Sequence, residues 1–329
     1  MVNHFRHDMP RPIFGLGHSM GGNNLVNLSL IHPRLFQGLI LVDPVIARRV
    51  SPGNVMPARA STKRRDVWPS RKAAADSFKR SKFYQAWNPK VLDLWIKHGL
   101  RNLPSTVHPS ATAVSKTPPV LSADPAGSIP TPNAQTEQEV TLTTTKHQEV
   151  FSFLRSNFAT ASHPDPVTDS NPLTHPDVDP SIQLVDMDYY TAAPLLTFRR
   201  LPQLRPSVLY VFGSKSNLSE PLARADKMAV TGTGVDGSGG AKKGRVQEIV
   251  LDAGHLIPME DTEGCGRQCA TWIAAEMQRW KKDEEELRLL WAEVEKKGNQ
   301  STMSEEFVKG LQDAAFPDQE GPSKGKAKL

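Results

Sequence analysis

The pattern of apolar and polar positions predicts a strand, a helix and a second strand within residues 12–46. The run PIFGLG is short and apolar, and NNLVNLSLIHP carries Leu25, Leu28 and Ile31 at helical spacing before Pro33 ends the helix. GLILVDPV is almost continuously apolar and contains β-branched residues, which is typical of a parallel strand covered on both faces. The glycine-rich turn GHSMGG joins the first strand to the helix, so the segment predicts a βαβ crossover.

A similar pattern returns after Pro206. The strand SVLYVFG is followed by a helix near 219–229, the glycine-rich loop TGTGVDGSGGAKKG, the strand RVQEIVL and the turn DAGHLIPME. The loop lacks the Gly-Lys-Ser/Thr ending of a phosphate-binding loop and precedes a strand, so we interpret it as a flexible connection. Residues 262–281 predict an amphipathic closing helix that DEEELRLLWAEVEKK extends, and the tail 319–329 is expected to be disordered.

Between these regions the pattern changes. The segment from about 64 to 100 spaces six aromatic residues at helical intervals, which predicts a helical cap whose aromatic face lines an apolar pocket. Residues 103–182 hold 12 of the 27 prolines and few large apolar residues, which predicts a flexible insertion with a helix around 143–155. The six aromatic residues are Trp68, Phe78, Phe83, Tyr84, Trp87 and Trp95.

Composition narrows the class of protein. With 329 residues and 38% hydrophobic content, the chain can bury one main core with a cap. Its 40 basic and 35 acidic residues give a net charge of +5 but form no basic stripe, so we predict no nucleic-acid partner. No apolar stretch approaches the roughly 18 residues of a spanning helix, and the start lacks a signal-peptide layout, so we expect no transmembrane segment and a soluble, non-secreted protein.

The two cysteines are separated by four residues in a predicted helix. Cys265 and Cys269 therefore share a helix face but do not supply a metal cage by themselves. We interpret them as buried thiols in a reducing compartment, and the sequence predicts neither a metal site nor a cofactor.

The motif Gly17-His18-Ser19-Met20-Gly21 matches G-x-S-x-G and lies between a predicted strand and a predicted helix. This context favours the nucleophile elbow of an α/β-hydrolase, with Ser19 as the nucleophile. A strained strand-to-helix turn needs small neighbours, which Gly17, Gly21 and Gly22 supply. The alternative is an ordinary tight turn.

His255 is the predicted general base. It follows the strand RVQEIVL and precedes a helix, where its side chain would face the elbow, and it comes after the nucleophile in the chain order of this fold. Imidazole is suited to accept a serine proton and return it to a leaving group. His18 lies within the elbow, and we expect its side chain to point away from His255 and to support the structure.

The triad acid is less clearly indicated. Most α/β-hydrolases carry it after the strand that here reads SVLYVFG, yet SKSNLSEP has no carboxylate before Glu220. Asp43, which ends GLILVDP 24 residues after Ser19, is the alternative position and would orient the imidazole. Asp43 could instead only begin an Asp-Pro turn, and Asp226 and Asp252 are weaker candidates.

The oxyanion hole is expected to be incomplete. The backbone N–H of Met20 provides one donor, but the segment before the elbow offers no second donor and no preceding strands. We therefore expect a partial α/β-hydrolase fold, arising from a fragment, a truncated gene model or a partner-dependent remnant, with little hydrolysis by the chain as it stands.

The segments GLGHSMGGNNLVNLSLIHPRLFQGLILVDPVI and DAGHLIPMED resemble a fungal group of α/β-hydrolases of the AB hydrolase-1 type. This group includes a yeast peroxisomal lipase and hydrolases of fungal toxin biosynthesis. The resemblance covers the elbow unit, the cap segment RRDVWPSR and the last third of the chain with TGTGVDGSGG. It implies the usual roles for Ser19 and His255 and leaves the position of the acid open.

These patterns divide the chain into four parts. We expect a hydrolase core at 1–46, a cap with the proline-rich insertion at 47–205, a second core segment at 206–282, and a charged helix with a disordered tail at 283–329. The last three residues, Ala327, Lys328 and Leu329, resemble the Ser-Lys-Leu address. They predict a peroxisomal import receptor as a partner and a location in the peroxisomal matrix, or otherwise in the cytoplasm.

The predicted function is hydrolysis of an apolar acyl ester or thioester by Ser-His-Asp catalysis, as in lipases and esterases. An aspartate-nucleophile mechanism is disfavoured because Ser19 occupies the nucleophile position. Two alternatives stay open: a non-catalytic relative that serves in binding or assembly, and acyl transfer to an acceptor other than water.

Overall fold

The computed structural model describes residues 2–48, 55–109, 138–157, 173, 188–296 and 302–314. Its strands are β1 (Phe14–His18), β2 (Gly38–Val42), β3 (Val67–Trp68), β4 (Leu100–Asn102), β5 (Val140–Leu142), β6 (Arg155–Ser156), β7 (Tyr189–Tyr190), β8 (Ser207–Gly213) and β9 (Val246–Leu251). Its helices are α1 (Val2–Phe5), α2 (Met20–Ile31), α3 (Val55–Lys63), α4 (Arg71–Arg80), α5 (Lys82–Gln85), α6 (Pro89–His98), α7 (Lys146–Phe153), α8 (Ala193–Arg200), α9 (Pro221–Val230), α10 (Ile257–Glu260), α11 (Thr262–Lys296) and α12 (Glu305–Asp313). The chain forms two compact units, residues 1–276 and 277–329.

A parallel sheet with the order β1-β2-β8-β9 forms the core of the first unit. The predicted βαβ crossover is present as β1, α2 and β2, and the second α/β segment is present as β8, α9 and β9. Because all four strands run in the same direction, their carboxyl ends lie at one edge of the sheet, where side chains from separate segments meet.

Alternate residues of the central strands pack into two apolar layers, as expected for a sheet covered on both faces. Residues of α2 and α8 contribute to the layer that contains Leu39, Leu41 and Tyr210. Residues of α11, among them Trp272, contribute to the opposite layer, which contains Ile40. Every residue of β2 and β8 is buried. The central strands thus form a rigid support for the loops at their ends.

The cap forms its own small core around the antiparallel sheet β3-β5-β4. Trp68, Phe78 and Tyr84 are buried there, and their rings contact one another with centroid distances of 4.8–5.3 Å. Trp87 and Trp95 pack against this cluster, whereas Phe83 is exposed. The aromatic residues were expected to line a pocket, but all of them except Phe83 pack against one another and form the interior of the cap.

The proline-rich insertion is only partly described, and its residues 138–157 form a strand, a helix and the start of a second small sheet. Val140 and Leu142 of β5 are buried in the cap core. The predicted helix is confirmed as α7, which begins with a capping box between Thr145 and Gln148. The rest of the insertion, apart from residues 103–109 and 173, and the tail 319–329 lie outside the described residues.

The glycine-rich loop before β9 is folded onto its neighbours, and the interpretation as a flexible connection was wrong. The N–H groups of Gly232 and Ser238 donate to the carbonyl groups of Leu201 and Leu204. Gly232 has a φ of 70°, and a Cβ there would lie 2.3 Å from Ser238 Oγ, so glycine is required at this position.

The second unit comprises the end of α11 and the short helix α12. Helix α12 contains no buried residue. Leu290 and Trp291 of α11 are exposed, at 63% and 62% of their surface. In the part of the chain that the structure describes, no helix is long and apolar enough to cross a membrane.

Candidate active site

Ser19 lies in a sharp turn between the end of β1 and the start of α2. Its backbone has a φ of 57° and a ψ of −121°, a conformation that costs energy for a residue with a side chain. A Cβ at Gly17 would lie 2.6 Å from the backbone of Gly21, and one at Gly22 would lie 2.9 Å from Pro44. Glycine is therefore required at these two positions, but a Cβ at Gly21 would meet nothing within 4 Å, so the expectation for Gly21 was wrong.

Asp43 follows directly after β2 and has no exposed surface. Its φ of 41° turns the chain, and its backbone N–H donates to the carbonyl of Val211 on the neighbouring strand β8, at 2.8 Å. Ser19 donates in the same way to the carbonyl of Val42, at 2.9 Å. The sheet therefore fixes both residues at adjacent strand ends.

His255 lies in the loop after β9 and contacts both residues. Its Nε2 is 2.9 Å from Ser19 Oγ, and its Nδ1 is 2.6 Å from Asp43 Oδ2. Because an ionised carboxylate only accepts hydrogen bonds, Nδ1 carries the proton and Nε2 accepts the hydroxyl proton of Ser19. The structure thus brings together the three predicted residues Ser19, His255 and Asp43 in one hydrogen-bonded chain, with His255 in the middle.

The carboxylate of Asp43 accepts two further hydrogen bonds from the loop after β8. Ser216 Oγ donates to Oδ2 at 2.5 Å, and Ser219 Oγ donates to Oδ1. Burial by itself raises the pKa of Asp43, but the hydrogen bonds from His255, Ser216 and Ser219 outweigh it and lower the pKa below its usual value. Asp43 is therefore held as an anion.

His18 contacts His255, contrary to the expectation that its side chain points away. Its Nε2–H donates to the backbone carbonyl of His255 at 2.8 Å, and the two rings lie 4.9 Å apart. Burial lowers the pKa of His18, which keeps its ring neutral beside His255. His18 therefore links the elbow to the loop of the base.

Glu260 of α10 also supports this loop. Its carboxylate accepts the backbone N–H of Gly254 at 2.6 Å, one residue before His255. The carbonyl of Met259, on the same helix, accepts the backbone N–H of Asn88 at 2.7 Å. Asn88 is the N-cap residue of α6, a helix of the cap segment. This bond therefore fixes the cap segment beside the loop that carries His255.

Lys227 of α9 is a buried cation below the site, with 2% of its surface exposed. Its Nζ donates to the carbonyl of Ala223 at 3.1 Å and lies 5.6 Å from the ring centre of Phe212. Burial lowers the pKa of Lys227 to about 8, against the opposite effects of Asp43 and Asp226. This residue places a titrating charge within the electrostatic field of Asp43.

The alternative acids do not contact His255. Asp226 pairs with Arg48 at 3.3 Å, and Asp252 is largely exposed and pairs with Lys215 at 3.0 Å. Glu220 stands at the N-cap of α9. Met20 is the first residue of α2, where backbone N–H groups have no acceptor within the helix.

Sequence reasoning missed Ser216, Ser219 and Glu260. The segment SKSNLSEP has no carboxylate before Glu220, and its sequence does not show that its hydroxyl groups donate to a carboxylate on another strand. A weak signal existed, since two serines three residues apart can lie on the same side of a turn. Among the described residues, no group of three or more His, Cys, Asp or Glu side chains is arranged to hold a metal ion.

Comparisons with known proteins identify similar fungal sequences. The chain is 38% identical to the type I acyl-CoA thioesterase mpaH' of Penicillium brevicompactum over 295 residues, which cover 86% of this chain and 63% of that protein. It is 34% identical to the type I acyl-CoA thioesterase mpaH of Penicillium roqueforti (strain FM164), over 100% of this chain and 72% of that protein. It is 27% identical to the abhydrolase domain-containing protein AFT2-1 of Alternaria alternata, over 80% of this chain and 84% of that protein.

The chain therefore spans about two thirds of the length of the two thioesterases. No family model matches it. Among solved structures, the peroxisomal α/β-hydrolase Lpx1 of Saccharomyces cerevisiae aligns over 83% of this chain and 55% of that chain, with 14% identity and a TM-score of 0.49.

Proposed function

Since this chain belongs to the family of fungal type I acyl-CoA thioesterases, which are hydrolases of the α/β-hydrolase fold, we propose that it hydrolyses an apolar acyl thioester or ester through Ser19, His255 and Asp43. The observation that carries this proposal is the pair of hydrogen bonds made by His255. One ring nitrogen lies 2.9 Å from Ser19 Oγ, and the other lies 2.6 Å from Asp43 Oδ2. This arrangement is the one needed to activate a serine hydroxyl.

The reaction proceeds in two halves. Ser19 Oγ attacks the carbonyl carbon of the thioester while its proton passes to His255 Nε2. The C–S bond of the tetrahedral intermediate then breaks, and His255 returns the proton to the departing thiolate. This leaves the acyl group bonded to Ser19 Oγ.

Water completes the cycle. His255 Nε2 takes a proton from water as the oxygen attacks the acyl carbon, and the proton then passes to Ser19 Oγ as the acyl C–O bond breaks. In both halves the imidazolium is stabilised by Asp43, whose charge lies against Nδ1. The backbone N–H of Met20, at the positive end of α2, stabilises the oxyanion.

The substrate class is supported by the relatives. Two of them are named acyl-CoA thioesterases, so a thioester of an apolar acyl group with a large thiol is the substrate to test first. The aromatic cluster of the cap does not support the apolar preference by lining a pocket, since its residues pack on one another. The cap is nonetheless joined to the helix that follows His255, through the hydrogen bond from the backbone N–H of Asn88 to the carbonyl of Met259.

A fluorophosphonate probe tests the nucleophile. We expect the 329-residue chain to be labelled, and we expect Ser19→Ala to abolish the labelling. Ser214→Ala is the matched control, because Ser214 lies at the same edge of the sheet but its hydroxyl donates to the exposed Asp252. Labelling that persists in Ser19→Ala would contradict the proposal, and hydrolysis of an acyl-CoA by the parent chain is measured in parallel.

The location is proposed from the last three residues, Ala327, Lys328 and Leu329, which lie outside the described residues. They are similar to a peroxisomal address that an import receptor binds at the chain terminus. A fluorescent protein fused to the N-terminus should accumulate in peroxisomes, and removal of the three residues should disperse it. A diffuse signal with the tail intact would exclude this location.

A further inference from the structure

We propose that Ser216 and Ser219 are positioning residues of the triad, whose hydroxyl groups fix the carboxylate of Asp43 in the orientation that His255 requires. This inference rests on the proposed function, because it assigns a role toward the same reaction. It concerns the loop after β8, which supplies no acid of its own and instead holds an acid supplied by β2.

Backbone hydrogen bonds hold the loop so that both hydroxyl groups face Asp43. The backbone N–H groups of Ser214 and Lys215 donate to the carbonyls of Leu251 and Ala253, so the loop is bonded to the exit of β9. The N–H of Ser219 donates to the carbonyl of Ser216 at 3.1 Å, which closes a turn with both side chains on one side. The loop is therefore anchored to the same segment that leads to His255.

The direction of the Ser216 hydroxyl is fixed by a second bond. The backbone N–H of Leu218 donates to Ser216 Oγ at 3.2 Å, so this oxygen acts as an acceptor on one side. Its own proton is then directed to Asp43 Oδ2, at 2.5 Å. Because a hydroxyl has a single proton to donate, this geometry leaves the carboxylate as its partner.

The three donors to Asp43 are divided between its two oxygens. Oδ2 accepts from His255 and Ser216, and Oδ1 accepts from Ser219. A carboxylate that accepts on both oxygens does not rotate about its Cβ–Cγ bond without losing a hydrogen bond. The two serines therefore hold Oδ2 at His255 Nδ1, which is the contact that orients the base.

The burial of Asp43 makes these donors necessary. The carboxylate has no exposed surface, so water does not stabilise its charge. The charged or titratable groups that face it are His255 from the loop after β9, His18 from the end of β1 and Lys227 from α9. Of these, only His255 donates a hydrogen bond to Asp43, so the two hydroxyl groups supply the remaining direct stabilisation.

Alanine and threonine variants of the full chain test this role. Ser216→Ala, Ser219→Ala and the double variant remove one or both donors, whereas Ser216→Thr and Ser219→Thr keep the hydroxyl. Ser214→Ala removes a hydroxyl from the same loop that donates to Asp252 instead, at 3.2 Å, and serves as the matched control. The measurements are kcat and KM for an acyl-CoA between pH 5 and 9, and the titration of the Asp43 carboxyl carbon by NMR.

We expect each alanine variant to lower kcat about tenfold, as the loss of a hydrogen bond to a charged group implies, with little change in KM. The acid limb of the pH profile should move to higher pH, and the pKa of Asp43 should rise in the NMR titration. The threonine variants and Ser214→Ala should retain the parent values. Thermal unfolding identifies any variant whose loss of activity reflects a loss of folded protein.

A double variant that keeps the kcat, the pH profile and the Asp43 titration of the parent would overturn the inference. So would a lower activity that is fully explained by a smaller folded fraction, with an unchanged titration of Asp43. If the proposed function is wrong, the parent chain will show neither probe labelling nor turnover that depends on Ser19, which distinguishes this failure from a failure of the inference about the two serines. In that case the NMR titration still decides whether the two serines hold the carboxylate.

Discussion

At the scale of single residues, the charged carboxylate of Asp43 is the group that His255, Ser216 and Ser219 all contact. Its carboxylate is fully buried, and three donors from two loops surround it. Hydrogen bonds to a charged acceptor are stronger than those between neutral groups, so this carboxylate remains ionised despite its burial. The anion in turn keeps the proton of His255 on Nδ1, so that Nε2 is free to accept the hydroxyl proton of Ser19.

Replacement of Asp43 by asparagine tests this role. An amide has no charge to stabilise the imidazolium, and its NH₂ group can face Nδ1 and favour the wrong tautomer. We expect kcat of Asp43→Asn to fall by about 10³–10⁴-fold, as with other triad acids. Near-parental turnover of this variant would exclude Asp43 as the acid, and Asp252→Asn is the control because Asp252 is exposed and pairs with Lys215.

The same carboxylate should contribute to stability in a pH-dependent way. Because its pKa in the folded protein lies below the usual value, Asp43 stabilises the fold at neutral pH, and this contribution is lost as pH falls below about 4. We expect the thermal midpoint of the parent to fall more steeply with acid than that of Asp43→Asn. Parallel curves for the two proteins would contradict this expectation.

The buried charge of Lys227 should destabilise the fold at neutral pH, whereas the charge of Asp43 stabilises it. Its pKa falls from a usual value near 10.5 to about 8, so below pH 8 the folded protein carries a buried charge. We expect Lys227→Met to stabilise the fold by on the order of 3 kcal/mol at pH 7, with a gain that shrinks between pH 8 and 10.5. Urea unfolding at pH 7 and 10 measures this gain in the free energy of unfolding. Lys242→Met is the control, because Lys242 is exposed.

Sequence reasoning could propose Ser19 and His255, which the structure places in contact, because each stands in a local pattern, a strand followed by a glycine turn. It could propose Asp43 from its place at a strand end. It could not identify Ser216 and Ser219, since their role depends on a contact between segments more than 170 residues apart. The expectation that the side chain of His18 points away from His255 was wrong for the same reason, because its hydrogen-bond partner is the backbone of a distant loop.

At the scale of elements, the turn between β1 and α2 depends on two close approaches. A Cβ at Gly17 would lie 2.6 Å from backbone atoms that have no freedom to move away. We expect Gly17→Ala to lower the thermal midpoint and to abolish labelling of Ser19. Gly21→Ala is the matched control, since a Cβ there meets nothing within 4 Å and should leave both properties unchanged. Equal behaviour of the two variants would contradict this account of the turn.

The elements that were predicted well are those with a strong local period. The strands and helices of the crossover and of the second α/β segment have this property. The folded glycine loop was not predicted, since its hydrogen bonds go to Leu201 and Leu204 in another segment. The aromatic residues of the cap were identified as a group, but periodicity does not distinguish a face that lines a pocket from one that packs on itself.

At the scale of the whole molecule, stability should be unevenly distributed along the chain. All residues of β2 and β8 are buried, whereas α12 buries none. We expect native-state hydrogen exchange to be slowest in β2 and β8 and fastest in α12, because local opening requires little loss of apolar contact there. Protection of α12 equal to that of β8 would contradict this expectation.

The predicted family and the α/β architecture with a parallel sheet are confirmed at this scale, by the fungal relatives and by the four parallel strands. The proposed division of the chain into core, cap and tail segments stays a prediction. Helix α8 packs with the sheet residues around Leu39, although the prediction assigns its residues to the cap.

The proposed nucleophile Ser19 and the proposed acid Asp43 lie at the ends of adjacent strands and within a single crossover. Ser19 and Asp43 are 24 residues apart in the chain, so a short stretch of coding sequence specifies both. A recombination event that exchanged only residues 214–220 would leave Ser19 and Asp43 intact and would replace Ser216 and Ser219, whose hydroxyl groups donate to Asp43. The segment that carries Ser19 and Asp43 is thus separate in the chain from the loop after β8, where most members of the fold carry their acid.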